Sequence, residues 1–207
     1  MMDDKSTLIQ QLCDLEWTMF DKVKNEGGRA SCQNDSGFFK KMRACQFKSW
    51  SLPLLESYRE DLERADREGR NLPEEKYAFM MERTHPDAFA AIRDHLPRVS
   101  EEALGMIAEI AKIQVEWERE VDLAYPRMRS AGRPLTSEQD TPWQTSFETY
   151  LVGELKTYSL KTLRLYLEYL RNCQETGRNL AKEVAEHIST AYGYASLEDA
   201  ERNAGKR

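Results

Sequence analysis

Several carboxylates and amides sit on helical faces where leucine would be expected, and these are the residues whose types and spacing suit chemistry. With side chains spaced about 100° apart around a helix axis, Leu8, Leu12, Leu15, Met19 and Val23 share one arc, and Glu16 lies within it. A second arc of Phe39, Met42, Phe47 and Trp50 encloses Gln46, with Arg43 beside it. Farther along the chain, Glu154 is enclosed by Phe147, Tyr150, Leu151, Leu155 and Tyr158, and Gln114 lies on the apolar side of another segment. A buried carboxylate is costly unless it is paired, so these positions call for partners or water. In one reading Arg43 bridges Glu16 and Glu154 and the glutamine amides complete a structural network. In the other they line a pocket where Glu16 or Glu154 has a raised pKa and acts as general acid or base. Arg43 then clamps an anionic group, framed by Trp50 and Tyr158.

Other chemistries find less support. Glu82-x-x-His85 has the spacing used in di-iron bundles, but Pro86 follows at once and neither His95 nor His187 has a matching glutamate. A carboxylate-only magnesium site at Glu16 and Glu154 is conceivable from its oxygen ligands, yet no metal and no cofactor is expected. There is no G-x-S-x-G and no cysteine in a Cys/His signature. Residues 25–30, Asn-Glu-Gly-Gly-Arg-Ala, bring Arg29 forward as a binding candidate in a glycine-rich loop, but they lack the Lys-Ser/Thr of a P-loop. Arg29 with Asp35, and Arg133 with Asp140, read as caps or salt bridges between halves. Arg70 and Arg178 read as solvated or carboxylate-paired rather than as anion sites.

The elements that must position these residues are helical throughout. Apolar periodicity predicts helices near 6–25, 37–49, 52–68, 73–84, 87–96, 100–124, 143–157, 160–176, 180–192 and 197–203, with no alternating strand. Gly69 and Gly177 suit positions just past a helix end, and Pro86, Pro97 and Pro126 stop helices. Thr141-Pro142-Trp143-Gln144 reads as an N-cap, a first-turn proline and a capping box. Residues 39–75 match 147–183 without a gap at a displacement of 108, including an identical Gly-Arg-Asn-Leu at 69–72 and 177–180. For the first helices the phase of the apolar face favours a displacement of 98, setting Leu8, Ile9 and Leu12 opposite Met106, Ile107 and Ile110. The expected fold is an all-α bundle of about ten helices in one domain, with two repeated halves, roughly 1–98 and 99–207, related by a pseudo-two-fold axis. On these displacements Glu16 corresponds to Gln114, Gln46 to Glu154 and Arg43 to Leu151.

Composition sets the outer bounds. The 207 residues carry 30 Lys and Arg against 36 Asp and Glu, a net charge of −6 spread along the chain. No basic stripe gathers to displace counterions from a nucleic acid, so none is expected as a partner. No apolar run approaches a membrane span, the first residues are acidic where a secretory signal is basic and then apolar, and the four cysteines form no C-x-x-C pair. Reduced thiols and a cytoplasmic location follow as expectations.

Leu15–Phe20, Asn25–Asp35, Met42–Phe47, Gly69–Leu72 with Glu75–Tyr77, Met81-Glu82, and the run from Ser146 through Glu154 to Ser159 together resemble the bacterial and fungal family known as domain of unknown function 4125. The resemblance covers nearly the whole chain and implies a self-contained intracellular protein, with no activity or site residues to carry over. The expected function is binding of a small polar or anionic metabolite between the halves, with acid/base catalysis as an extension. The alternative is a non-catalytic helical module that recognises a protein partner and whose buried polar network is purely structural.

Overall fold

The computed structural model describes residues 4–24, 28–130 and 132–205. Eleven α-helices are present among them: α1 (Asp4–Phe20), α2 (Ser36–Lys48), α3 (Leu52–Arg67), α4 (Leu72–Thr84), α5 (Pro86–Ile92), α6 (Glu101–Ala124), α7 (Pro126–Arg129), α8 (Phe147–Leu155), α9 (Leu160–Glu175), α10 (Leu180–Ala191) and α11 (Leu197–Asn203). No β-strand occurs among the described residues; one isolated bridge joins Thr141 and Gln144.

The local chemistry explains most boundaries. Asn71 and Asn179 accept from the backbone N–H groups of Glu74 and Lys182, starting α4 and α10, while Gly69 and Gly177 adopt φ of 70° and 69° just after α3 and α9, a conformation that suits glycine. Ser100, Ser146 and Ser159 cap α6, α8 and α9 in the same way. Two boundaries differ from expectation. Helix α1 ends at Phe20 rather than near residue 25, and residues 25–27 lie outside the described set. Helix α8 begins at Phe147, not at 143, because Thr141 Oγ1 accepts from the N–H groups of Trp143 and Gln144 and closes a tight turn instead of capping a helix. Pro126 stops α6 as expected and also opens the four-residue α7.

One apolar core draws on both ends of the chain, with Leu12, Leu54, Leu55 and Leu62 packed in the same cluster as Ile110, Leu155, Leu163 and Leu170. Helix α1 packs on α2, α3 and α4, and α6 packs on α8, α9 and α10. Between these two sets α3 lies on α9, α4 on α8 and α10 on α2. The α4–α8 contact is close because residue 153 is glycine; a Cβ there would stand 2.8 Å from Met80 Cγ and 3.0 Å from the Lys76 carbonyl oxygen. Across α3 and α9, Asp61 Oδ2 accepts from Thr162 Oγ1 at 2.6 Å and Ser159 N at 3.0 Å, and Ser57 Oγ lies 2.8 Å from Thr162 Oγ1.

Several contacts come in pairs. Arg70 donates to both oxygens of Glu75, and Arg178 to both oxygens of Glu183. Asn71 Nδ2 donates to the Met19 carbonyl at 2.8 Å, and Asn179 Nδ2 to the Trp117 carbonyl at 3.4 Å.

Candidate functional site

Glu16, Arg43, Gln46 and Glu154 meet in one cluster. Arg43, on α2, donates Nε to Glu16 Oε2 at 2.5 Å and Nη2 to Glu16 Oε1, a two-pronged pair with a residue of α1. The same Nη2 reaches Glu154 Oε1 of α8 at 3.1 Å, and Nη1 donates to Gln46 Oε1 at 2.5 Å. Each guanidinium nitrogen therefore has a partner, and the planar fork suits the carboxylate. Tyr58 of α3 donates its hydroxyl to Glu16 Oε1 at 2.5 Å, and Tyr158 to Glu154 Oε1 at 2.9 Å.

Lys76 of α4 completes the group. Its Nζ lies 2.7 Å from the Tyr150 hydroxyl and 3.3 Å from Glu154 Oε2, and 4.0 Å from the centroid of the Tyr150 ring. The Arg133 guanidinium sits 4.7 Å from the same ring. Two carboxylates and two cations make the cluster neutral when all are ionised. Between them lies a cavity of about 30 Å³, walled by Phe20, Phe39 and Tyr77 on its aromatic side, which is room for an ordered water and little more.

The electrostatics favour ionised pairs. Burial pushes the Glu154 carboxyl up, but Arg43 and Lys76 more than reverse this, and with the Tyr158 hydrogen bond they hold it at about 2. Burial likewise works against the Lys76 ammonium, yet the charges of Tyr150 and Glu154 leave its pKa raised. Burial and the Glu16 carboxylate push the Tyr58 hydroxyl well up, and burial with Glu154 does the same to Tyr158. A raised pKa at Glu154, one form of the acid/base expectation, is thus reversed: a carboxylate held at about 2 is poorly matched to proton transfer near neutral pH.

The other candidates lie elsewhere. Gln114 donates to the Tyr166 hydroxyl, outside the cavity. Trp50 is buried in an aromatic core, its ring 5.7 Å from Tyr58, 6.4 Å from Tyr158 and 5.0 Å from Tyr166, and it does not line the cavity. Arg29 folds back on the Asp21 side chain, Asn34 and the Gln33 carbonyl. Asp35 caps α2 and Asp140 accepts from Ser146 N, so neither forms a salt bridge between halves with its neighbouring arginine. Arg70 and Arg178 are paired with carboxylates. Glu82 pairs with Lys156, His85 Nδ1 lies beside Thr84 Oγ1, and no group of three or more His, Cys, Asp or Glu placed to hold a metal exists among the described residues.

Lys76 and Tyr58 escaped the sequence reading. The signal for Lys76 was its place four residues after Leu72 and four before Met80, both buried, on the inner stripe of α4. Tyr58 falls on the buried face of α3 beside Leu54, Leu55 and Leu62, where a tyrosine reads as core.

Residues 6–202 match the family model described as "Protein of unknown function (DUF4125)". The chain belongs to this family. The match spans α2 to α10 in full and most of α1 and α11, so the DUF4125 region contains the whole Glu16–Arg43–Lys76–Glu154 cluster. No curated protein and no solved structure matches this DUF4125 chain. No helix among the described residues is long and apolar enough to cross a membrane.

Proposed function

We propose that this DUF4125 protein binds a small polar metabolite bearing an anionic group at the Arg43–Lys76–Glu154 cluster, without catalysis by Glu154. The observation that carries the reading is four charged side chains, each largely buried, meeting at one cavity. Buried ion pairs contribute little net stability, and apolar replacements of similar volume are often neutral or stabilising. The paired contacts of Arg70 and Arg178, and of Asn71 and Asn179, support the two halves as copies, about 1–98 and 99–207, within one domain. On that basis each cluster residue has an uncharged counterpart in the other half. Arg43 corresponds to Leu151, Lys76 to Val184, Tyr150 to Met42, Glu16 to Gln114 and Glu154 to Gln46. Uncharged side chains at the counterpart positions support a role for these charges beyond packing, which is binding of a ligand. Entry of anything larger than water requires the cavity of about 30 Å³ to widen. A reducing, cytoplasmic compartment belongs to the same reading, supported by the four free cysteines.

The cavity's small volume and the full pairing of Arg43 favour a second reading, a protein-interaction module whose cluster is structural. One variant separates the two. Glu16→Gln, Arg43→Leu, Lys76→Val, Tyr150→Met and Glu154→Gln together install, at each position, the residue its counterpart carries in the other half. The ligand reading expects a melting temperature equal to or above that of the native chain, and loss of thermal shifts that polar, anionic metabolites give with the native chain. A strong fall in stability sinks it in favour of the structural reading.

A further inference from the structure

A groove of about 1020 Å³ lies between α4, α6 and α8, and it shares no lining residue with the charged cluster's cavity. Its floor is apolar, formed by Phe79, Ile107, Ala108, Val115 and Val152. Four acidic side chains, Glu82, Glu116, Glu138 and Glu148, stand around it, and so do four basic ones, Arg83, Lys112, Arg119 and Lys156. The rim is therefore neutral and carries both signs. A nucleic acid or a highly charged peptide calls for one sign, whereas a balanced rim is complementary to a second copy of itself under a two-fold rotation.

The loop that supplies Thr136, Ser137 and Glu138 to the rim also carries an exposed tryptophan. Trp143 is 94 % exposed, far beyond any other tryptophan of the chain. It is not a loose side chain on a loose loop. Thr141 N donates to the Gln144 carbonyl at 3.0 Å, Gln144 N returns to the Thr141 carbonyl at 3.3 Å, and Thr141 Oγ1 accepts from both Trp143 N and Gln144 N. Asp140 anchors the turn from below by accepting from Ser146 N at 2.6 Å and from the hydroxyl of Thr149, which lines the groove. Trp143 follows Asp140 by three residues, so their Cα atoms are at most about 11 Å apart. Thr136, Ser137 and Glu138 of the same loop form part of the rim. A tryptophan on a hydrogen-bonded turn of the loop that rims an apolar groove is the residue type that dominates interface energetics, and its side chain is left to water in the isolated chain.

We propose that two copies of this chain form a two-fold dimer in which Trp143 of each inserts into the α4–α6–α8 groove of the other. In this dimer a single two-fold rotation satisfies both knob-in-groove contacts and closes the assembly without leaving a free end for a filament. The inference is independent of the ligand reading, because neither Trp143 nor the groove touches the Arg43 cluster's cavity.

Sedimentation velocity of the full chain over a range of concentrations tests it. The native protein is expected to sediment as a dimer that dissociates on dilution. Trp143→Ala removes the knob and Ala108→Arg blocks the groove; both positions are exposed, so both variants keep the native melting profile, and each weakens dimerisation roughly tenfold or more. An equimolar mixture of the two variants regains dimer, since one knob and one open groove remain between them. A native chain that stays monomeric at the highest concentration reached overturns the proposal. So does a dimer that both substitutions leave unchanged, or a mixture that fails to recover.

Discussion

Arg43 is the residue on which the buried cluster turns, since it alone contacts both Glu16 and Glu154. Removing it alone leaves Glu16 largely buried without a cation and Glu154 with only Lys76. Arg43→Leu is therefore expected to cost about 3–5 kcal/mol in urea denaturation, even though the ligand reading expects the fivefold variant to tolerate leucine at the same position. The contrast is a direct measure of coupling among neighbours. Glu154 gives the cluster a pH signature. Its folded pKa of about 2 lies below that of an unfolded glutamate, about 4.3, so its stabilising contribution is fully present above the unfolded value. That contribution fades as pH falls from there toward 2. Thermal melts of the native chain should lose stability through this window more steeply than those of Glu154→Gln, and parallel pH profiles would contradict the assignment of an ionised Glu154.

At the scale of elements, two contacts decide how the helices sit. Gly153→Ala ought to stabilise α8 by helix propensity, by about 1 kcal/mol. The added Cβ collides with Met80 and the Lys76 backbone, however, and overpacking of this kind costs about 1–3 kcal/mol. A net loss of stability is expected, read as a lower denaturation midpoint, and because Lys76 is on the displaced turn the variant should also disturb the cluster. Asn71 is a helix cap and a bridge at once, accepting from Glu74 N while donating to the Met19 carbonyl at the end of α1. Asn71→Ala should cost about 1–2 kcal/mol, and Asn71→Asp, which keeps the cap but loses the amide donor to Met19, should recover only part of it.

Across the whole molecule, α3 and α9 are the seam between the two sets of helices, and Asp61 is its polar lock. Asp61 is buried and accepts from Ser159 N, Thr162 Oγ1 and Arg64 Nη2. Asp61→Ala leaves Ser159 N unsatisfied, at about 1–3 kcal/mol for such a group, and leaves the Thr162 hydroxyl only the Ser57 and Ser159 hydroxyls, so a drop in melting temperature is expected with the transition still cooperative. Separate melting of the two halves would instead mean that the shared core does not couple them.

Helix existence, most caps and the inward position of Glu16, Gln46 and Glu154 were legible from the sequence because they depend on local periodicity, which a 3.6-residue repeat of apolar side chains writes directly into the chain. The pairing of Arg43 with both carboxylates was also within reach, since charge in an apolar arc demands a partner. What only the tertiary structure decided is which groups converge. Lys76 reaches Glu154 through the α4–α8 contact across 78 residues of chain. The helix wheel cannot say which neighbour a face meets, so Gln114 and Trp50, equally inward, lie outside the cavity. The size of that cavity and the sign of the Glu154 shift depend on the sum of burial against two nearby cations. The turn at 141–144 went the other way from its sequence signal because Thr141 used its hydroxyl to close a turn on Trp143 and Gln144. Spacing along the chain fixes faces; the distances between faces belong to packing.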